Sequence, residues 1–237
     1  MTLDGVHRPP DSYRPSREHP APGTSGEMYL KIAYLLSQGS SAVIAARVAD
    51  FLGVSRSSAS AALRRLENQR FIRFDRQRVL HLTPRGRATA RSMVRRHRLF
   101  ETWLIDSLGV RWSDAFDEAC RLEHAISGDI EQQLYEALGR PERCPHGNPI
   151  DPDASSLGQP LAEMPNGAVA VVLEIGFPVE FLPEHLAYLE AKGVVPGARL
   201  TVQAQLPGGT GVESRVGDKP VFIAADTVQA IRAKLTP

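Results

Sequence analysis

Apolar residues recur at helical spacing from Met28 onward: Met28, Ile32, Leu35 and Leu36 form one stripe. The stripe predicts a helix that opens at Ser25, its N-cap, and runs to about Ser37. Val43, Ala46, Val48, Phe51 and Leu52 predict a second, short helix over 43–52, with Gly53-Val54 as a turn. Ser55 then caps a third helix to about Gln69. Two short helices joined by a Gly-containing turn make a helix-turn-helix unit. Over 71–82 the period changes from helical to alternating. Ile72, Phe74, Val79 and Leu80 are apolar, with Arg73, Arg76 and Arg78 between them, which predicts a β-hairpin with an Arg-rich tip, the wing of a winged helix.

Thr83-Pro84 opens a long helix, Thr as N-cap and Pro at the first helical position, which reaches Leu108 before Gly109. Ser113 is expected to cap the next helix, and Ser127 another that runs to Leu138 and closes at Gly139. Residues 151–162 read as a polar linker. Beyond it, strands are expected over 168–173, 199–206 and 220–224, and a helix over 182–192. The expected architecture is mainly α with small β. A winged helix-turn-helix domain spans 26–89, a helical domain 90–150, a linker 151–165 and a β-rich domain 166–237. Pro9, Pro10, Pro15, Pro20 and Pro22 with few apolar residues predict a disordered tail over 1–25.

Charge sharpens this division. The chain of 237 residues is nearly neutral, at +1. Yet 43–98 holds 14 Arg against 3 acidic residues, whereas 99–237 holds 10 basic and 20 acidic ones. A basic first module suits a polyanion such as double-stranded DNA. Ser55, Arg56, Ser57, Ser58 and Ser60 open the third helix, small enough to approach base edges, and Arg64 and Arg65 follow for phosphates. Arg47 and the wing residues Arg76 and Arg78 complete the expected DNA-facing set. Ser and Arg are also ordinary surface residues. The adjoining wing and the local charge favour DNA binding over a merely solvated face.

Cys120, Glu123 and His124 stand at i, i+3 and i+4, so a thiolate, a carboxylate and an imidazole share one helix face. Three such groups suit a divalent transition metal with a fourth ligand from elsewhere. An isolated triplet of this kind would more often be a buried Cys beside an exposed Glu-His pair. His97 and Glu101 add a second pair at i, i+4. Two Cys without a CxxC motif argue against a disulfide framework and a structural zinc finger. No apolar run is long enough to cross a bilayer and no signal-peptide core is present, so a soluble cytoplasmic protein without a membrane partner is expected.

Assembled, residues 25–150 resemble the diphtheria-toxin-repressor family of iron- and manganese-dependent transcriptional regulators. The resemblance rests on Glu27-Met28-Tyr29-Leu30, Leu52-Gly53-Val54-Ser55, Leu82-Thr83-Pro84-Arg85-Gly86 and Arg96-His97-Arg98-Leu99. It also rests on the run from Glu118 to Ser127 and on Cys144-Pro145-His146-Gly147-Asn148-Pro149-Ile150. The C-terminal module is similar to the family's SH3-like domain, best at 191–197. The resemblance implies a primary metal site of Met28, Cys120, Glu123 and His124, and two sites per chain for Mn2+ or Fe2+. For the ancillary site it implies His97 and Glu101. Phe116 and Phe177 stand where iron-type members have ligands, and Glu180 lies near a further ligand position. Cys144 and His146 match ligands of the manganese-type branch, so His97, Glu101, Cys144 and His146 are the expected ancillary set. The alternative is a vestigial site filled by the two Phe rings. Ala61 stands where several members place a base-reading Gln, so their operator sequence is not carried over.

The expected function is therefore a metal sensor, not an enzyme: a homodimer that binds a palindromic DNA operator and controls metal homeostasis genes. Two alternatives are a metalloenzyme using the Cys/Glu/His face and a winged-helix regulator of an organic ligand. No partnering general base with a substrate pocket is recognisable, and an enzyme has no use for the basic wing. Sulfur from Met28 and Cys120 favours Fe2+, whereas Cys144-Pro145-His146 leans towards the manganese branch.

Overall fold

The computed structural model describes residues 25–39 and 41–236, and the expected tail lies outside them except for Ser25. The chain forms two compact units divided between Arg96 and His97. In the first, α1 (Ser25–Ser37), α2 (Ala45–Leu52) and α3 (Arg56–Asn68) pack together and enclose Leu30, Ile32, Val48, Ala59 and Leu63. Gly53 ends α2 at φ 64, where its N–H closes onto Ala49 and Asp50. A left-handed residue is needed for this sharp exit, and glycine takes it without a Cβ penalty. Ser55 caps α3 as expected, its Oγ accepting from Ser58 N at 3.1 Å. The wing consists of β1 (Ile72–Phe74) and β2 (Leu80–Leu82), paired antiparallel. Glu67 Oε1 accepts from Phe74 N at 3.1 Å, which ties the wing to α3.

The division between units falls inside α4 (Pro84–Asp106). The second unit continues with α5 (Ala115–Leu122) and α6 (Gly128–Ala137), the latter capped by Ser127. Asp114 rather than Ser113 precedes α5, because Ser113 Oγ donates instead to Glu190 Oε2 at 2.7 Å. Phe100, Leu104, Ala115 and Ala119 form a small core against which Trp103, Ile105, Val110, Leu122, Ile126 and Leu134 are only half-covered.

A six-stranded antiparallel sheet follows, comprising β3 (Gln159–Pro160), β4 (Val169–Ile175), β5 (Arg199–Gln205), β6 (Gly211–Val216), β7 (Lys219–Ala224) and β8 (Ile231–Leu235). Their order is β3-β8-β4-β5-β6-β7. The helices α7 (Pro183–Lys192) and α8 (Ala225–Val228) complete it. The fold is thus mixed α with β, as the expected three-part architecture implied. Strands β6 and β8 were not expected from the pattern, and β3 falls inside the expected linker, where it pairs with β8. Among the described residues no helix is long and apolar enough to cross a membrane.

Candidate metal centre

Helix α4 carries His97 and Glu101 one turn apart, both buried. Helix α5 brings Cys120 opposite them. The expected single face of Cys120, Glu123 and His124 is cut short, since α5 ends at Leu122. Glu123 caps the helix, donating from its N to Ala119 O at 3.0 Å, and His124 lies in the turn beyond. The cause is a tight last turn, in which Ala125 N bonds Leu122 O at 2.9 Å. Cys120 and Glu123 still converge, but with His97, expected in the ancillary set, rather than with His124. His97 Nδ1 is 2.7 Å from Glu123 Oε2 and 3.8 Å from Cys120 Sγ, and His124 Nε2 is 3.5 Å from Glu123 Oε1. Ligand atoms of His97, Cys120 and Glu123 all lie within 4.8 Å of one another.

A second cluster joins Glu101 to Cys144 and His146, again within 4.8 Å and with all three residues buried. The chain reaches it through a tight loop: Gly147 N bonds Cys144 O at 2.8 Å and Cys144 N bonds Asn148 O at 2.9 Å. His146 O accepts from Ile175 N at 2.8 Å, which joins the loop to β4. Gly147 has φ +86, and a Cβ there would meet Leu173 O at 2.0 Å, so only glycine fits between loop and strand.

The electrostatics of this cluster fit a cation. Burial alone would raise the Glu101 carboxyl, but the His146 and His97 imidazoles together hold it well below the usual range. Burial, and then the Glu101 charge, push the Cys144 thiol well up. His146 Nδ1 stands 3.0 Å from Glu101 Oε1, yet neither it nor either Glu101 oxygen has an aligned hydrogen-bond partner among the described residues. Buried polar atoms left in this way are costly. One carboxylate, one imidazole and one sulfur brought within 4.8 Å of one another form a donor set suited to a divalent transition metal.

His97 touches both clusters, its Nε2 lying 3.2 Å from Glu101 Oε1. Phe116 packs edge-on against His97 at 4.4 Å between ring centroids, and Phe177 packs instead against Phe181 at 5.6 Å. Glu180 is buried and accepts from Asn148 Nδ2 at 2.9 Å; burial raises its carboxyl most, with Arg98 acting the other way. Met28, half-buried on α1, belongs to the first unit. Trp112 and Asn148 were not singled out by pattern, because their roles rest on backbone carbonyl contacts that no spacing announces.

In the first unit Ser55, Arg56, Ser57, Ser58, Arg64, Arg65, Arg76 and Arg78 are exposed, and Ser60 is half-buried. Arg47 instead donates to Ser41 O and Ala42 O, both at 2.9 Å. At the wing tip Asp75 Oδ1 accepts from Gln77 N at 3.0 Å and Val79 N at 2.9 Å, while Oδ2 pairs with His81 Nε2 at 2.8 Å. That hub shapes the turn from which Arg76 and Arg78 project.

Three family models match the chain in succession. They are "Iron dependent repressor, N-terminal DNA binding domain" over residues 23–80, "Iron dependent repressor, metal binding and dimerisation domain" over 83–152 and "FeoA domain" over 159–235. The iron-dependent repressor IdeR of Mycobacterium leprae is 34% identical over 226 residues, covering 88% of this chain and 96% of that protein. IdeR of Mycobacterium tuberculosis is 36% identical over 222 residues with the same coverage. Among solved structures, a manganese-dependent transcriptional repressor in complex with manganese has a TM-score of 0.78 at 30% identity, covering 89% of this chain and all of that one.

Proposed function

The chain belongs to the iron-dependent repressor family, and from that membership we propose that it is a metal-dependent transcriptional regulator that senses Mn2+ or Fe2+. The observation that carries the reading is one chain holding both a helix-turn-helix with a basic wing and two convergent N, O and S donor clusters. Its close relatives are transcriptional repressors rather than enzymes.

In this reading Met28, Cys120, Glu123 and His124 hold the primary metal, with Met28 assigned on sequence grounds alone. His97, Glu101, Cys144 and His146 hold the second. A divalent ion supplies positive charge that stabilises the carboxylates and thiolates facing it. Met28 belongs to the DNA-binding module and the other primary ligands to the helical segment. Metal affinity then depends on conformation, the condition for an effector to shift DNA binding. The half-covered apolar residues around Phe100 and Leu104, continued by exposed Leu108 and Ile130, serve as a homodimer face. A two-fold dimer places two α3 helices on a palindromic operator. The genes controlled are those of metal homeostasis.

The test is elemental analysis of protein purified without added metal, joined to anaerobic titration of Mn2+ and Fe2+ against DNA binding. The reading expects up to two ions per chain and DNA affinity that rises with loading. Tight DNA binding by fully metal-stripped protein would contradict it.

A further inference from the structure

Trp112 lies between α4 and α5, half-buried, and makes three contacts to the Cys144-Pro145-His146 segment. Its Nε1 donates to Pro145 O at 3.0 Å. Its ring lies 4.4 Å from the His146 ring at 50°. Its carbonyl oxygen stands 3.2 Å from His146 Nε2. A carbonyl can only accept, so Nε2 carries the hydrogen of this bond. In neutral imidazole the lone pair then falls on Nδ1, the atom 3.0 Å from Glu101 Oε1. Imidazole nitrogen and carboxylate oxygen face each other there, and the positive charge between them is supplied by the proton of an imidazolium or by a metal ion that displaces it.

We propose that Trp112 is the positioning residue of the second cluster. Its carbonyl selects the His146 tautomer that presents Nδ1, and its indole fixes the ring and the Pro145 peptide. The inference rests on the reading that Glu101, Cys144 and His146 hold a metal. Trp112 would not touch the ion. It acts through His146, whose backbone is fixed from the other side by Ile175 N at 2.8 Å. Next to it, Ser113 Oγ donates to Glu190 Oε2 at 2.7 Å, which anchors the Trp112 backbone. A ligand held by its ring, its carbonyl and its tautomer loses little freedom when metal binds.

Two measurements on the full chain decide the matter. The first is calorimetric titration of Mn2+ into wild type, Trp112→Phe and Trp112→Ala. Wild type should take two ions per chain. Trp112→Ala should weaken only the second-cluster ion, by about 10–100-fold, the usual effect of losing a group that orients a metal ligand. Trp112→Phe keeps the ring contact and the carbonyl but loses the indole donor, and should weaken that ion by less. The second is a long-range 1H–15N spectrum of Zn2+-loaded, 15N-histidine protein. His146 should be protonated at Nε2 and metal-bound at Nδ1. Zn2+ on Nε2, unaltered second-ion affinity in both variants, or parallel weakening of both ions would each overturn the proposal. If Trp112→Ala does not fold, Trp112→Phe and the wild-type spectrum carry the test. A single ion in wild type, unaffected by Glu101→Ala, would remove the metal reading itself. Two ions in wild type with unmoved Trp112 variants would remove only this inference.

Discussion

Gly147→Ala perturbs the second cluster without touching a ligand, and its effect can be worked from the structure. The new Cβ would lie 2.0 Å from Leu173 O, whereas ordinary contact begins near 3.4 Å, so loop and strand must part by about 1.4 Å. Alanine at φ +86 adds roughly 1–2 kcal/mol of left-handed strain. Separation strains the Ile175 N to His146 O and Gly147 N to Cys144 O bonds, at roughly 0.5–1.5 kcal/mol each if lost. Together the cost is about 2–5 kcal/mol. At roughly 2–4 °C per kcal/mol for a chain of this size, the metal-free melting temperature should fall by about 4–20 °C. Metal–ligand distances tolerate only about 0.2 Å, so the second ion should be lost while the first is kept. Differential scanning calorimetry of stripped protein and metal analysis of loaded protein read both effects. A variant that melts with wild type and still holds the second ion would refute the reasoning.

Glu123→Ala and His124→Ala should each abolish metal-dependent DNA binding while far-UV circular dichroism and dimer mass stay unchanged; a normal metal response in His124→Ala would remove it from the primary set. Cys144→Ala with His146→Ala should lower metal content by one ion per chain and weaken DNA affinity moderately, as measured by elemental analysis and fluorescence anisotropy. Arg65→Ala or Arg78→Ala should weaken binding to all duplexes alike and reduce the slope of log affinity against log salt by about 1 each. The hydrogen bond with His81, then that from Val79 N, holds the Asp75 carboxyl below its usual range. A depressed native pKa means that its contribution to the wing is complete above about pH 4 and is lost as pH falls through the native value. Gln77 and Val79 amide resonances should therefore shift in strong acid, and resonances that stay fixed there would contradict the hub.

The helix-turn-helix and wing were legible because their signals are local. Ser55 caps the helix it begins, and Gly53 turns the chain it interrupts. The proposed metal donors can be picked out as residue types but less so as a grouping. His97 and Glu101 share a face of α4 as their spacing implies, yet the two His97 nitrogens point at different carboxylates, Glu123 and Glu101. Ring orientation is set by tertiary packing, here against Phe116, and has no sequence period. Ser113 failed as a cap because its hydroxyl serves Glu190, 77 residues away. Strand β8 escaped notice for a similar reason. Its five residues pair with β4, some 60 residues earlier, and neither segment alone specifies that register.

The most direct measurement selects duplexes from a random pool with Mn2+ or Fe2+ present. It then determines the affinity of the selected sequence in metal and in excess chelator. The account predicts a palindromic sequence bound by a dimer, with affinity falling by about tenfold or more on chelation, within the usual range of allosteric coupling. Equal affinity with and without metal would contradict it.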